Sequence, residues 1–239
     1  MGGAEMKQEA LRDLLRSCAP LLIAYSGGVD SAFLLAVGAE TAGDRCRGVI
    51  ADSPSLPRQA LADALELARQ IGAKVEVMPT AEMQNANYTS NPVNRCYFCK
   101  RELFTKLEAR ARQSGFRTLA YGENADDARQ IRPGREAATE FKVRAPLREV
   151  GLTKSEIRLL SRALNLPTAD APAQPCLSSR IPHGTPVTVA ALGMIERAET
   201  AVRGLGFRVF RVRHEGEAER CRARLEIAPN EMSKLDAVA

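Results

Sequence analysis

No apolar run in this sequence approaches the ~20 residues that a helix needs to span a bilayer, so a membrane partner is not expected. The N-terminus carries Glu5 and Glu9 and no signal-peptide core, which points to the cytoplasm. Internal repeats and low-complexity segments are absent. There are only two histidines, and His183 and His214 read as hydrogen-bonded loop and strand residues rather than ligands. The pattern G-x-x-x-x-G-K-[ST] does not occur, so any phosphate site must do without a Walker lysine. What remains is a chain of 239 residues, enough for one sizeable α/β domain and a small appendage. Its six cysteines, in a cytosolic setting, argue for metal or redox chemistry before a disulfide framework. The net charge is +5, with Arg203, Arg208, Arg211, Arg213, Arg220, Arg222 and Arg224 crowded late in the chain. That run is either a solvated face or a surface for an anionic partner, whether nucleic acid or a small phosphorylated substrate.

The chain is organised around Ala24-Tyr25-Ser26-Gly27-Gly28-Val29-Asp30-Ser31. The apolar run Pro20 to Ala24 reads as a buried strand, and Ala32 to Ala39 as a helix. A strand that turns through Ser-Gly-Gly into a helix suits a phosphate. The glycines admit the anion to the backbone, and the first-turn N–H groups and helix dipole point at it. Ser26 and Ser31 add hydroxyls, and Asp30 is placed to hold Mg2+ against the phosphates. Ser-Gly-Gly-Val-Asp-Ser resembles the PP-loop of the ATP pyrophosphatases. That resemblance implies ATP cleavage between the α- and β-phosphates, through an adenylated intermediate.

Around this loop the expected order is strand, helix, strand, helix, strand. A helix from Glu5 to Ser17 comes first, then strands at Arg47 to Ala51 and Ala73 to Met78, with a helix from Leu56 to Ile71 between them. The pattern predicts an α/β fold with a doubly wound parallel sheet, PP-loop and HUP-like. Asp52 and Ser53, at the carboxyl end of a strand, should border the adenine or ribose. Pro79 to Asn94 reads as a long functional loop, Cys96 to Ser114 as a helix and Thr118 to Tyr121 as a strand. Gly122 to Asp127 then supplies carboxylates for magnesium or ribose, or a simple helix cap. Arg132-Pro133-Gly134 reads as a turn and Arg144 to Leu147 as extended. Thr153-Lys154-Ser155-Glu156 is a capping box that opens a helix to about Leu164. Beyond the irregular stretch Pro167 to Pro186 come a helix, Val189 to Leu205, and two alternating segments, Phe207 to Arg213 and Arg222 to Ala228. These predict an antiparallel pair followed by a short helix. The division expected is 1–166 for ATP binding and 167–239 for a small α+β subdomain of substrate binding and sulfur transfer.

Cys96-Tyr97-Phe98-Cys99 opens a helix between Arg95 and Lys100, a setting that lowers thiol pKa. Cys176 stands in a proline-rich loop, while Cys18, Cys46 and Cys221 read as small buried residues. Asn94 to Lys100, Gly122 to Asp127, Arg132 to Gly134 and Pro175 to Pro182 are together similar to the LarE family, from about Ala24 to Glu226. Those are ATP-dependent sulfur transferases of nickel-pincer nucleotide biosynthesis. The resemblance implies adenylation of a carboxylate on a pyridinium dicarboxylate mononucleotide, then displacement of AMP by sulfur to give a thiocarboxylate. It implies ATP binding by Ala24, Ser26, Gly27, Gly28, Asp30, Ser31, Asp52, Ser53, Gly122 and Asp127. Asp30, Ser31 and Cys176 would be catalytic, and Glu199 and Glu226 would join Asp30 as candidates for magnesium.

Two sulfur sources follow from the resemblance. Cys96, Cys99 and Cys176 would hold a [4Fe-4S] cluster whose fourth iron carries sulfide, or Cys176 would give up its own sulfur. The three sulfurs are expected to converge beside the ATP cleft. Arg211 and Arg213, two apart on one strand, should join Arg180 in binding the substrate phosphate. A Cys₃His zinc site with His183 and a Cys96–Cys99 disulfide stay open beside these. The chain ends at Ala239, earlier than the family's usual extent, so the last subdomain is expected to be shortened or completed by another subunit of a homo-oligomer. The partners implied are a small nucleotide and a source of sulfide or a sulfur donor protein. A tRNA thiolase remains the rival enzyme, although no zinc-ribbon pair or dedicated RNA-binding module appears and nucleic acid is not the expected partner. A non-catalytic nucleotide sensor is the rival from another class.

Overall fold

The computed structural model describes residues 2–129, 133–216 and 221–237, with side chains at 128–129 and 236–237 left aside. Helix α1 (Gly3–Cys18) leads into β1 (Leu21–Ala24), which turns through the glycine loop into α2 (Val29–Ala42). Strand β2 (Cys46–Asp52), helix α3 (Arg58–Gln70) and strand β3 (Val75–Pro79) follow. A short α4 (Ala86–Thr89) precedes the long α5 (Arg95–Ser114) and β4 (Thr118–Tyr121). Then come α6 (Pro133–Glu140), α7 (Pro146–Glu149), α8 (Lys154–Ala163) and α9 (Val189–Gly204). The antiparallel pair β5 (Phe210–Glu215) and β6 (Arg222–Ile227) and a 3-10 segment, Pro229–Ala237, close the order. No described helix is long and apolar enough to cross a membrane.

The four parallel strands lie in the order β3-β2-β1-β4, with Leu21 in register with Cys46 on one side and Thr118 on the other. All four residues of β1 are buried, because helices cover both faces of the sheet. Leu21 and Ile23 pack into a core with α1, α2 and α3, and Leu22 and Ala24 into a second core with α5 and α6. Phe33, Leu34 and Leu35 of α2 are wholly buried in the first of these. Cutting one such leucine back to alanine typically costs ~2–5 kcal/mol. The doubly wound parallel sheet is therefore present. Its winding reverses between β1 and β4, and the crevice outside the carboxyl ends of those strands is where such sheets take ligands.

Several local expectations need correction. Pro133 and Gly134 begin a helix instead of a turn, and Arg132 lies outside the described residues. Only Arg144 is strand-like, bridging Ala120, whereas Pro146 sits at the start of α7, where its missing N–H costs nothing. The segment 79–94 holds a 3-10 turn, Glu82–Gln84, and α4 rather than one open loop. Strand β5 starts at Phe210 because the amides of Arg208 and Val209 donate to the Glu231 carboxylate, each at 2.8 Å. A third apolar cluster joins Tyr88, Met83 and Phe98 to Leu177, Ile181 and Leu192.

Candidate functional site

The loop after β1 is shaped by two glycines with different duties. Gly27 has φ +74°, and a Cβ there would meet Ala64 Cβ of α3 at 2.7 Å. Gly122, at the end of β4, lies so close that a Cβ would stand 2.8 Å from Ser31 N. The carboxyl ends of β1 and β4 thus press together at the switch point. Ser31 Oγ donates to Gly28 O at 3.0 Å and accepts from Ser26 N at 3.2 Å, with Ser26 Oγ 3.1 Å away. These bonds hold the loop curled, and the first intrahelical bond is Ala32 N to Gly28 O, so the amides of the first turn precede it. Gly122→Ala should push into the loop backbone. Overpacking there costs ~1–3 kcal/mol, so the expected result is a lower Tm in thermal unfolding.

Asp30 is the charge in this loop. Its Oδ2 accepts from Lys154 Nζ at 2.8 Å and Asn124 Nδ2 at 3.3 Å. Its Oδ1 is buried and has no hydrogen-bond partner among the described residues. An unsatisfied carboxylate oxygen facing a phosphate loop fits a magnesium ion carried in with ATP. Lys154 comes from the first turn of α8, where the capping box of Thr153 and Glu156 is formed and Lys7 pins Glu156 at 2.7 Å. The backbone N–H of Lys154 also donates to Asp126 at 2.8 Å. In sequence this stretch reads only as a cap, and nothing local reveals that Lys154 Nζ reaches Asp30 across 124 positions. Asp127 is buried and accepts from Asn124 N at 3.3 Å. Asp52 is paired with Arg58 at 2.6 Å, and the buried Ser53 Oγ accepts from Ser55 N. Glu123, also unforeseen, is 4 % exposed and joins Arg135, Arg148 and Tyr121 behind Gly122.

Cys96 and Cys99 lie in the first turns of α5, and Cys176 immediately precedes the turn Leu177–Arg180. Cys99 packs against the cluster that contains Leu177 and Ile181, and the three thiols lie within electrostatic range of one another. Cys176 is exposed. For Cys99 the expected lowering of thiol pKa is reversed. Burial pushes Cys99 up to about 12, with Glu82 and Cys176 adding to the rise. Burial also raises Cys176, against a favourable contribution from Arg95. The cations that were to stabilise the thiolates are engaged elsewhere. Lys100 Nζ lies 5.6 Å over the Phe104 ring, and buried Arg95 turns to Asn91 Oδ1 and Ser178 O.

Among the described residues no three His, Cys, Asp or Glu side chains are grouped to hold one metal ion. A Cys₃His zinc site is therefore not formed, and His183 is exposed. Asp30, Glu199 and Glu226 likewise do not compose a magnesium site. A cluster asks for a different arrangement, since each thiolate binds its own iron and the three stand further apart. The trio at the cleft fits that demand in donor type. Of the other cysteines, Cys18 and Cys46 are buried as expected, whereas Cys221 is exposed.

A second cleft, of about 250 Å³, lies between α3 and the antiparallel pair, lined by Arg180, Glu199, Arg203, Arg208, Arg211 and Glu226. Arg180 does not point free into it. It is 6 % exposed, forks onto Glu199 at 2.7 and 3.1 Å, and donates to Pro175 O at 2.7 Å. Glu199 also accepts from Val212 N, so the pair ties the Cys176 segment to α9 and β5. Arg213 is likewise engaged, with Glu226 at 2.9 Å and Ser179 O at 2.7 Å, and does not line the cleft. Of the three predicted phosphate ligands, Arg211 alone keeps its guanidinium without an ion pair or hydrogen bond among the described residues. Arg203, stacked 5.6 Å over Phe210, and Arg208 stand beside it in the lining.

No family model matches the chain. It is 44 % identical to an uncharacterized protein of Synechocystis over 231 residues, covering 97 % of this chain and 85 % of that one. It is 29 % identical to the pyridinium-3,5-bisthiocarboxylic acid mononucleotide synthase of Lactiplantibacillus plantarum over 212 residues, 88 % of this chain and 75 % of that protein. An uncharacterized protein of Methanocaldococcus jannaschii shares 26 % identity over 193 residues, 81 % of this chain and 73 % of its own length.

Proposed function

The chain belongs to the LarE family, and from that premise we propose that it is an ATP-dependent sulfur transferase acting on a pyridinium dicarboxylate mononucleotide. One observation carries the reading. At the carboxyl edge of a single sheet, the segment of Cys176 is bonded directly to the strand end beside the phosphate loop, through Leu177 N to Ser55 O at 2.9 Å. That contact supports the reading, because a two-step transfer would need its activating and sulfur sites to adjoin.

In the first step a substrate carboxylate oxygen attacks the α-phosphorus of ATP, and pyrophosphate leaves. Gly27, Gly28 and the first-turn amides of α2 receive the phosphates, with Ser26 and Ser31 as hydroxyl donors. Asp30 would hold magnesium through its free oxygen, and Lys154 would offset the charge of the phosphates. Asp52, Ser53 and Asp127 would border the nucleoside. In the second step a sulfur nucleophile attacks the activated carbonyl carbon, AMP leaves, and a thiocarboxylate results. Cys96, Cys99 and Cys176 would hold a [4Fe-4S] cluster. When bound, such a cluster supplies an open iron for sulfide, so that the protein is not consumed. Because ligation deprotonates a thiol outright, the raised pKa of free Cys99 and Cys176 is no obstacle to that assembly. Should Cys176 be the donor itself, its thiolate attacks the carbonyl and AMP leaves; loss of the Cys176 Cα proton then breaks the Cβ–S bond, releasing the thiocarboxylate and leaving dehydroalanine.

Arg211 is the residue assigned to the substrate phosphate, flanked by Arg203 and Arg208. Arg211→Ala should raise KM for the nucleotide by about tenfold to a hundredfold, the worth of a charge-assisted hydrogen bond. ATP affinity should stay unchanged; a fall in ATP affinity instead would move Arg211 to the adenylation site. A tRNA substrate would show itself as salt-sensitive binding in the specific range, and its absence separates this reading from a tRNA thiolase.

A further inference from the structure

Three buried hydroxyls from three separate segments meet beside Cys176. Ser55 Oγ is 2.6 Å from Tyr88 Oη and 2.8 Å from Ser178 Oγ, and Tyr88 Oη is 2.7 Å from Ser178 Oγ. Each hydroxyl has one proton to give, so three donors fill three contacts in a closed ring. Tyr88 is 1 % exposed and Ser178 not at all, so no water competes for these bonds. Ser55 follows β2 on the nucleotide side, Tyr88 belongs to α4, and Ser178 is two residues past Cys176.

Other bonds converge on the same short stretch. Leu177 N donates to Ser55 O, and Arg95, the neighbour of Cys96, donates to Ser178 O at 2.9 Å. Asn91, fully buried, donates to Pro182 O at 2.7 Å and Thr185 O at 2.8 Å. The proline-rich stretch around Cys176 is therefore not the flexible arm that its composition suggests. Leu177 and Ser178 are locked inside the protein while the Cys176 side chain stays at the surface.

We propose that the ring of Ser55, Tyr88 and Ser178 is a clamp that fixes the Cys176 segment, and with it the transferred sulfur, against the activated carboxylate, with Tyr88 as its positioning residue. The proposal rests on the transferase reading above. Tyr88 touches no reacting atom; it acts by fixing the backbone on which Cys176 is mounted. The apolar cluster around its ring accepts phenylalanine, so Tyr88→Phe removes the hydroxyl and keeps the packing.

The experiment compares the unmutated protein with Tyr88→Phe and Ser55→Ala in two readouts. The first is amide hydrogen exchange of the peptide spanning 177–181. Loss of the ring should speed it by on the order of tenfold, the effect of losing buried hydrogen bonds. The second is anaerobic single-turnover chemistry with MgATP, sulfide and the pyridinium dicarboxylate mononucleotide. Pyrophosphate release should be unchanged and thiocarboxylate formation should slow by on the order of tenfold, since small misplacements are costly in transfer steps. Unaltered exchange in both variants overturns the clamp. Faster exchange with both chemical steps unchanged, or with both slowed equally, overturns the positioning role. If the unmutated protein releases no pyrophosphate, the transferase reading falls, and exchange alone then upholds or overturns the clamp.

Discussion

Cys176→Ser is expected to abolish thiocarboxylate formation while pyrophosphate release from ATP continues. Under either sulfur source Cys176 is indispensable, as cluster ligand or as donor, and a serine hydroxyl serves neither purpose. It is close to isosteric at a solvent-open position, so the fold should be unaffected. The residues proposed for adenylation stand on other segments, at the ends of β1 and β4 and on α8. The two sources part in the remaining cysteines. If a cluster is used, Cys96→Ser and Cys99→Ser are as inactive as Cys176→Ser, and anaerobically prepared protein contains close to four irons per chain. If Cys176 is sacrificed, those two variants keep activity and the reacted protein lacks the mass of H₂S.

Asp30→Ala should cut AMP formation by on the order of a thousandfold or more, because losing a magnesium anchor forfeits several kcal/mol of charge stabilisation. The residue is already poised for this, with one oxygen on Lys154 and the other without a hydrogen-bond partner among the described residues. Lys154→Met should also slow AMP formation, by about tenfold to a hundredfold as a lost charge-assisted contact. Its KM for ATP should rise, whereas the Asp30 variant should lose chiefly kcat. ADP as the main product of the unmutated protein would refute the PP-loop assignment altogether.

How much of this was legible beforehand depends on whether a feature is local. The run Leu21 to Ala24, the Ser-Gly-Gly turn, Gly115 ending α5 and the capping box at Thr153 are set by neighbours in sequence, and each stands where its pattern predicts. The parallel, doubly wound sheet follows from alternating strands and helices, as its pattern predicts. Partnerships between distant charges were not legible. Arg180 and Arg213 looked free in sequence and are engaged by Glu199 and Glu226. Lys154 reaches Asp30 across 124 positions, and Ser55 meets Ser178 across 123. The thiol pKa expectation failed for a similar reason. It counted the cations flanking Cys96 and Cys99 but not the burial of Cys99 or the rings and carbonyls that occupy those cations.

The central claim is an AMP-forming transfer of sulfur to a nucleotide carboxylate. The most direct measurement is anaerobic incubation of the protein with MgATP, sulfide and the pyridinium dicarboxylate mononucleotide, with nucleotide products resolved by mass spectrometry. The account predicts AMP and pyrophosphate in equal amounts, together with a nucleotide in which one carboxylate oxygen has been replaced by sulfur. AMP release with the nucleotide left unchanged in mass, or ADP in place of AMP, would contradict it.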